Sequence, residues 1–141
     1  MAWALVSDLF VRVRVEGLAR REELATRFFA DAEGLLAALA GGGAGPDLLL
    51  VDLSARDEAA WRLLDSLAAL REREQRVPPV LAFYSHVEGE TRRRALALGA
   101  DRVVPRSAFV ARFHHWIAEL VGPPPGVAPG AVPEAPDREP P

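Results

Sequence analysis

The chain of 141 residues contains no cysteine, which excludes disulfide bonds, thiolate metal sites and thiol nucleophiles. It also contains no lysine, because all 17 basic residues are arginine, and chemistry that needs a primary amine on a side chain is excluded with it. The formal charge of −3 provides no basic field suited to nucleic acid. We therefore expect no nucleic-acid partner.

Long apolar runs are absent as well, and none could span a bilayer. The opening residues MAWALVSDLF lack the basic region and the small-residue cleavage site of a signal peptide. Apolar residues make up 50% of the chain and charged residues 26%, which is typical of a globular domain with a real core. We expect a cytoplasmic protein with no membrane partner.

Proline is concentrated at one end of the chain. Eight of the 12 prolines fall in 122-GPPPGVAPGAVPEAPDREPP-141. A segment of this composition buries little apolar surface and favours extended polyproline II geometry. The sequence predicts a folded domain over 1–121 and a disordered tail over 122–141, which we interpret as a spacer or a frayed end in preference to a proline-recognition motif.

Apolar segments alternate with amphipathic segments over the first 121 residues. Buried strands are predicted at 2–7, 26–31, 48–53, 79–85 and 102–105. Helices are predicted at 35–40, 57–74, 88–99 and 107–121. Continuous apolar strands alternating with such helices predict an α/β fold: a doubly wound, parallel, five-stranded (βα)₅ sheet of the flavodoxin-like kind, in three αβα layers.

The segment 11-VRVRV-15 is compatible with two structures. Its period of two favours a strand, whereas the β/α alternation requires a helix between the first two strands. We predict a helix, because Leu9 and Val13 recur at helical spacing and 20-RREEL-24 continues the pattern.

Polar residues follow several of the predicted strands. In open α/β sheets, ligands bind beyond the carboxyl ends of the strands. The residues at these ends are Ser7, Asp8, Asp52, Tyr84, Ser85 and Arg106. We expect Asp8, Asp52 and Arg106 to share one hollow at this edge of the sheet.

With these residues, the chain resembles the receiver domain of two-component response regulators. The resemblance covers roughly residues 2–121 and depends on the (βα)₅ order, on VDLS after the third strand, on ALALGAD before the fifth strand and on VVPRSAF, which closes that strand. It implies a receiver-like fold and a signalling protein that is not an enzyme. A receiver has two acids after strand one, a phosphoacceptor Asp after strand three, a Ser or Thr after strand four and a Lys after strand five.

The resemblance places the phosphoacceptor on Asp52 and the acid pair on Ser7 and Asp8, so a hydroxyl replaces one carboxylate. Receiver phosphorylation requires Mg²⁺, which prefers an octahedral shell of oxygen ligands. The remaining candidate ligands are Asp8, Asp52 and the carbonyl of Ser54. Because one acid is lost, we expect no resident cofactor and at most weak Mg²⁺ binding.

Three further receiver positions are altered. The lysine position holds Arg106, whose planar guanidinium suits a permanent pair with a carboxylate. The hydroxyl position falls on Tyr84, or on Ser85 after a shift of one residue, and the aromatic switch position holds Val103. Without a small hydroxyl and an aromatic switch, the relay from phosphate to the fourth helix and fifth strand lacks its moving parts.

Two signalling functions are compatible with this pattern. The first is a degenerate, stand-alone receiver that acts by protein–protein interaction without phosphorylation. The second is an atypical receiver that a histidine kinase phosphorylates on Asp52 in a phosphorelay. A flavodoxin-like domain that binds a small ligand is a third alternative, but the sequence has no nucleotide fingerprint.

The expected partner is a signalling protein or a histidine kinase, and a homodimer is the other route for output. The predicted interaction face combines Arg92, Arg93 and Arg94 on the fourth helix with Val103 on the fifth strand. A solvated helix face is the commoner explanation of such an arginine run.

Overall fold

The computed structural model describes residues 1–54, 58–85 and 89–122. Strands and helices alternate along these residues, as the sequence predicts. The strands are β1 (Ala2–Leu5), β2 (Thr26–Phe29), β3 (Leu48–Asp52), β4 (Val80–Tyr84) and β5 (Arg102–Pro105). The helices are α1 (Leu9–Arg21), α2 (Ala32–Ala40), α3 (Ala59–Glu72), α4 (Gly89–Ala97), α5 (Arg106–Ala111) and α6 (Phe113–Val121).

The strands form one parallel sheet in the order β2-β1-β3-β4-β5. Helices α2, α3 and α4 contribute to the core on one face of the sheet, and α1, α5 and α6 contribute to the core on the other face. The predicted doubly wound, three-layer α/β fold is therefore confirmed. The strand order reverses between β1 and β3, the place where such sheets bind ligands.

Strand β3 lies at the centre of both cores. Leu49 and Val51 belong to the core beneath α2, α3 and α4, whereas Leu48 and Leu50 belong to the core beneath α1, α5 and α6. All four side chains are completely buried. Because helices cover both faces, this strand has no solvated side, which explains its continuous apolar sequence.

The segment 11-VRVRV-15 lies within α1, so the prediction of a helix is confirmed. Its predicted phase is wrong, because Leu9 and Val13 are 67% and 59% exposed. The side chains that face the sheet are Val11, Val15 and Ala19. These three residues follow the i, i+4 spacing of one helix face, and the period of two in the sequence has no structural counterpart.

The last predicted helix is divided in two. Helix α5 begins one residue before the predicted cap Ser107, with Pro105 as its N-cap, and the break falls at Arg112 with φ −121° and ψ 28°. The indole Nε1 of Trp116 donates a hydrogen bond to the carbonyl oxygen of Ala108 at 3.2 Å. This bond joins α6 to α5 across the bend, an arrangement that sequence periodicity does not indicate.

Several predictions fall wholly or partly outside the described residues. They include the predicted first residues of the third and fourth helices, 57 and 88, and the proline-rich tail beyond Gly122, the C-cap of α6. The boundary between domain and tail therefore stays a prediction. Among the described helices, none combines the length and the apolar content needed to cross a membrane.

Candidate functional site

The carboxyl ends of the strands bring three predicted site residues to one edge of the sheet. Asp52 ends β3, Asp8 lies between β1 and α1, and Arg106 follows β5 as the first residue of α5. The charges of Asp8 and Arg106 both act on the carboxyl group of Asp52. The structure thus assembles the polar cluster expected from the order of strands.

Asp52 is buried, with only 3% of its surface exposed. The backbone N–H of Ser54 donates a hydrogen bond to its Oδ1 atom at 2.8 Å. Burial raises the pKa of Asp52 above its ordinary value, and this effect outweighs the hydrogen bonding from Ser54 and the favourable charge of Arg106. The proton is therefore held more tightly than on a solvated aspartate.

Asp8 is exposed and has a structural role as the N-cap of α1. Its Oδ1 atom accepts hydrogen bonds from the backbone N–H groups of Phe10 at 2.8 Å and Val11 at 3.2 Å. Both donors are first-turn groups that the helix itself leaves unpaired. One oxygen of the retained carboxylate is therefore already occupied by backbone donors.

The predicted hydroxyl residues lie in different environments. Tyr84 is the last residue of β4, is only 6% exposed, and belongs to the core beneath α3 and α4. Ser85 is the next residue and is exposed, as is Ser7, which lies between β1 and α1. The candidate hydroxyl with access to solvent beyond β4 is therefore that of Ser85.

Arg106 is partly buried, and its Nε atom is buried without a hydrogen-bond partner among the described residues. Within the same residues, the guanidinium forms no ion pair with Asp52 or Asp8. The permanent carboxylate pair expected from the sequence is therefore not formed. Arg106 instead lines a groove between α5 and α1, and it acts on Asp52 through its charge.

The oxygen donors at this edge fit Mg²⁺ poorly. Asp8 and Asp52 are its two carboxylates, and one Asp8 oxygen caps α1. No group of three or more His, Cys, Asp or Glu residues with metal-binding geometry occurs in residues 1–54, 58–85 and 89–122. The Ser54 hydroxyl is buried and forms no hydrogen bond of good geometry in this part of the chain, although it lies close enough to Asp52 to help lower the pKa of that carboxyl group. This arrangement does not support tight binding of Mg²⁺.

The predicted interaction face on α4 is already engaged in part. Arg92 is exposed, whereas Arg93 forms an exposed ion pair with Glu90 at 2.9 Å. The guanidinium of Arg94 lies 4.1 Å from the ring centroid of Trp61 on α3. Val103 is only 4% exposed and lies in the core. Its side chain therefore packs beneath this face and does not contribute to its surface.

One apolar surface was not anticipated from the sequence. Phe10 is 86% exposed at the start of α1, beside the exposed Leu9 and Val13. The pattern was present in the sequence, but it becomes visible only when the helix is phased on its buried residues. This surface adjoins the groove that Arg106 lines.

No family model and no curated protein matches the sequence. Among solved structures, the chain is similar to the receiver domain of NtrX from Brucella abortus, with a TM-score of 0.71 and 21% identity over 86% of this chain and 98% of that domain. A response regulator receiver protein from Burkholderia phymatum gives a TM-score of 0.69 and 18% identity over 86% of this chain and 94% of that protein.

A longer NtrX structure from Brucella abortus has a TM-score of 0.69 and 21% identity over 85% of this chain. The chain spans only 26% of the length of that protein. The similarity therefore concerns one domain and does not extend to the rest of NtrX. On these grounds the chain has the fold of response regulator receiver domains.

Proposed function

We propose that this chain is a receiver-like signalling module that acts by binding another protein and does not depend on phosphorylation. The observation that carries the proposal is the altered set of groups around Asp52, combined with an intact receiver fold. The fold supports a signalling role, and the altered groups favour a role without phosphoryl chemistry.

The acidic groups give the first argument. Ser7 replaces one carboxylate, and Asp8 uses one oxygen to cap α1. The site therefore offers Mg²⁺ fewer carboxylate oxygens than a receiver with two acids after the first strand. Phosphorylation that depends on Mg²⁺ is therefore disfavoured at this site.

Arg106 and Tyr84 give the second argument. A lysine ammonium is a compact charge that can follow a phosphoryl oxygen, whereas the arginine guanidinium is a larger planar group. The hydroxyl position falls on Tyr84, whose side chain is buried in the core, or on the exposed Ser85 one residue later. Even with Ser85 in that role, an adduct on Asp52 would lack the lysine and the aromatic switch residue of a receiver, which favours a constitutive binding role.

The direct test is to incubate the full chain with acetyl phosphate and Mg²⁺ and to measure its intact mass. We expect no phosphoryl adduct, since the pocket lacks the acid and the lysine of a working receiver. A matched variant that combines Ser7→Asp with Arg106→Lys is expected to gain an adduct that Asp52→Asn then abolishes. A stoichiometric adduct on Asp52 of the unmodified chain would overturn the proposal.

The second candidate is an atypical receiver phosphorylated on Asp52 by a histidine kinase. It is favoured by the position of Asp52 at a strand end and by the positive charge of Arg106 acting on it. Beryllofluoride imitates a phosphoryl group on aspartate and separates the two candidates. Tight binding with NMR shift changes that extend to Val103 and α4 would support this second function.

The partner in either case is proposed to be a signalling protein, a histidine kinase or a second copy of the chain. The proposed location is the cytoplasm, and the proposed role is that of a binding module without enzymatic activity. Affinity capture with the full chain, repeated with Phe10→Ala and Arg92→Glu variants, would assign a captured partner to the α1 surface or to the α4 surface.

A further inference from the structure

The exposed start of α1 borders a groove between α1 and α5. The groove has a volume of about 550 Å³. Its apolar lining includes the buried side chains Val15, Phe83 and Phe109 and, nearer the surface, Phe10 and Val110. A phenylalanine that is 86% exposed beside such a groove is apolar surface left in water, which favours an occupant.

Two cations border the same groove. Arg14 and Arg106 both contribute to its lining, and neither forms an ion pair with any described residue. The Nε atom of Arg106 also lacks a hydrogen-bond partner among these residues. The groove therefore suits an occupant that presents apolar groups to the aromatic lining and carries acidic groups for the two arginines.

A second copy of the same surface is a poor occupant. In a two-fold dimer the same patch contributes from both partners. Each copy would bring Arg14 and Arg106 to the interface. Like charges facing each other at an interface oppose association, so the charge pattern favours a different and acidic partner.

The chain itself contains a segment with the complementary chemistry. The proline-rich segment 123–141 carries eight prolines and two valines, and three of its four charged residues are acids: Glu134, Asp137 and Glu139. Proline fixes φ, so such a segment loses little conformational entropy when it binds. Aromatic-lined grooves bind proline-rich segments for this reason.

The distance is within reach of this segment. Helices α5 and α6 together span Arg106–Val121, at most about 24 Å at 1.5 Å per residue. Residues 123–133 in extended polyproline geometry would span roughly 34 Å. The acidic stretch 134–139 can therefore return from the end of α6 to Arg106 and Arg14.

We propose that the proline-rich segment 123–141 binds in cis across the groove between α1 and α5. In this proposed contact the prolines would pack on Phe10 and Val110, and the carboxylates would lie near Arg14 and Arg106. The bound segment covers the exposed start of α1 and competes with any protein partner for that surface. This intramolecular contact does not depend on whether Asp52 is phosphorylated.

The absence of cysteine makes a specific test available. Ala135→Cys introduces the one thiol of the full chain, which a nitroxide spin label then modifies. In ¹H–¹⁵N spectra at low protein concentration, we expect the backbone signals of Phe10, Arg14 and Val110 to lose most of their intensity. Signals from α3, on the opposite face of the sheet, should be unaffected and serve as the internal control.

Two matched conditions test the charge and the apolar contact separately. The substitutions Glu134→Gln, Asp137→Asn and Glu139→Gln together should restore most of the lost intensity. Raising the salt from 0.15 to 1 M should do the same, because it shortens the Debye length from about 8 to about 3 Å. Phe10→Ala in the labelled chain should restore it as well. Since the acid substitutions fall outside the described domain, they leave its packing intact.

The opposite results are equally distinct. Broadening no stronger on α1 than on α3 would overturn the proposal and leave the groove to a separate partner. A mixed sample tests binding in trans. It contains the spin-labelled chain at natural isotope abundance together with ¹⁵N-labelled chain that carries no spin label. Equal broadening in that mixture would replace the intramolecular contact by one between two copies.

Discussion

At the scale of single residues, Asp52 is the buried charged side chain of the described part of the chain. Its neighbours compensate the cost of burying this carboxylate incompletely. Ser54 donates one backbone hydrogen bond to it, and Arg106 contributes a favourable charge without forming an ion pair. A buried carboxylate without a contacting cation destabilises the folded state. The residue that most strongly suggests function is therefore also a source of instability.

This imbalance predicts the effect of Asp52→Asn. The amide oxygen can still accept the hydrogen bond from Ser54, but the side chain carries no charge at any pH. Because burial raises the pKa of Asp52, the folded state binds its proton more tightly than the unfolded state does. The contribution of Asp52 to stability therefore falls as pH rises from about 3.9, the unfolded-state pKa, through the folded-state pKa.

We expect Asp52→Asn to be more stable than the unmodified chain at pH 7, by about 1 kcal/mol, a common size for one substitution. Urea unfolding at a series of pH values measures the difference, which should shrink as the pH is lowered. If the unmodified chain is the more stable one at pH 7, Asp52 must have a compensating contact that the structure does not contain.

Gly99 provides a second prediction at this scale. It lies after α4 with φ +100°, a conformation that L side chains rarely adopt, and a Cβ atom there would overlap the guanidinium of Arg71. Moving Arg71 away would break the hydrogen bond that its Nη1 atom donates to the carbonyl of Leu98 at 3.1 Å. We expect Gly99→Ala to cost roughly 1–3 kcal/mol in urea unfolding.

The matched control is Gly17→Ala on α1. A Cβ atom at Gly17 meets nothing within 4 Å, and the residue lies inside a helix, where alanine is favoured over glycine. This variant should gain about 0.5–1 kcal/mol of stability. Equal effects at the two glycines would contradict the conformational explanation given for Gly99.

At the scale of elements, α1 depends on Asp8 for its first turn. The carboxylate accepts hydrogen bonds from two backbone N–H groups, and an asparagine side chain can accept them in the same way. We expect Asp8→Ala to cost about 1 kcal/mol of unfolding free energy and Asp8→Asn to cost little. Thermal unfolding followed by far-UV circular dichroism separates the two variants.

The same pair of variants distinguishes capping from metal binding. If Asp8 served mainly as a ligand for Mg²⁺, both substitutions would abolish any stabilisation by added Mg²⁺ and would have similar effects on stability without it. A loss confined to the alanine variant identifies capping as the role of this side chain.

The elements also show how far the sequence could be interpreted. The strands were predictable because burial on both faces produces continuous apolar runs, and parallel strands necessarily bring Asp8, Asp52 and Arg106 to one edge. The phase of α1 was not predictable, because Leu9 and Val13 fit helical spacing as well as the buried stripe does. The bend at Arg112 depends on an indole hydrogen bond that leaves no periodic pattern.

The interactions within the site were less predictable than its location. The position of Arg106 follows from the chain order, but its lack of an ion pair with Asp52 depends on side-chain direction. Likewise, Asp8 could be placed at a strand end, yet its capping role depends on the exact start of α1. Topology determines which residues meet, whereas side-chain geometry determines what each of them contacts.

At the scale of the whole molecule, one sheet separates two cores. Phe109 on α5 stacks on Phe83 with ring centroids 4.1 Å apart, and Leu64 on α3 is buried in the opposite core. Both cores depend on the same strands, since residues of β3 alternate between them. Loss of packing on one face therefore removes support from the sheet that the other face needs.

This shared sheet predicts cooperative unfolding. Phe109→Ala and Leu64→Ala should cost roughly 3–5 and 2–5 kcal/mol respectively, whereas Val13→Ala at an exposed position should cost less than about 0.5 kcal/mol. Urea unfolding should be followed by circular dichroism and by fluorescence of variants that retain either Trp61 on α3 or Trp116 on α6. Because β3 belongs to both cores, each core substitution should lower the midpoint equally for both tryptophans. A midpoint that moves for one tryptophan alone would mean that the two layers unfold independently.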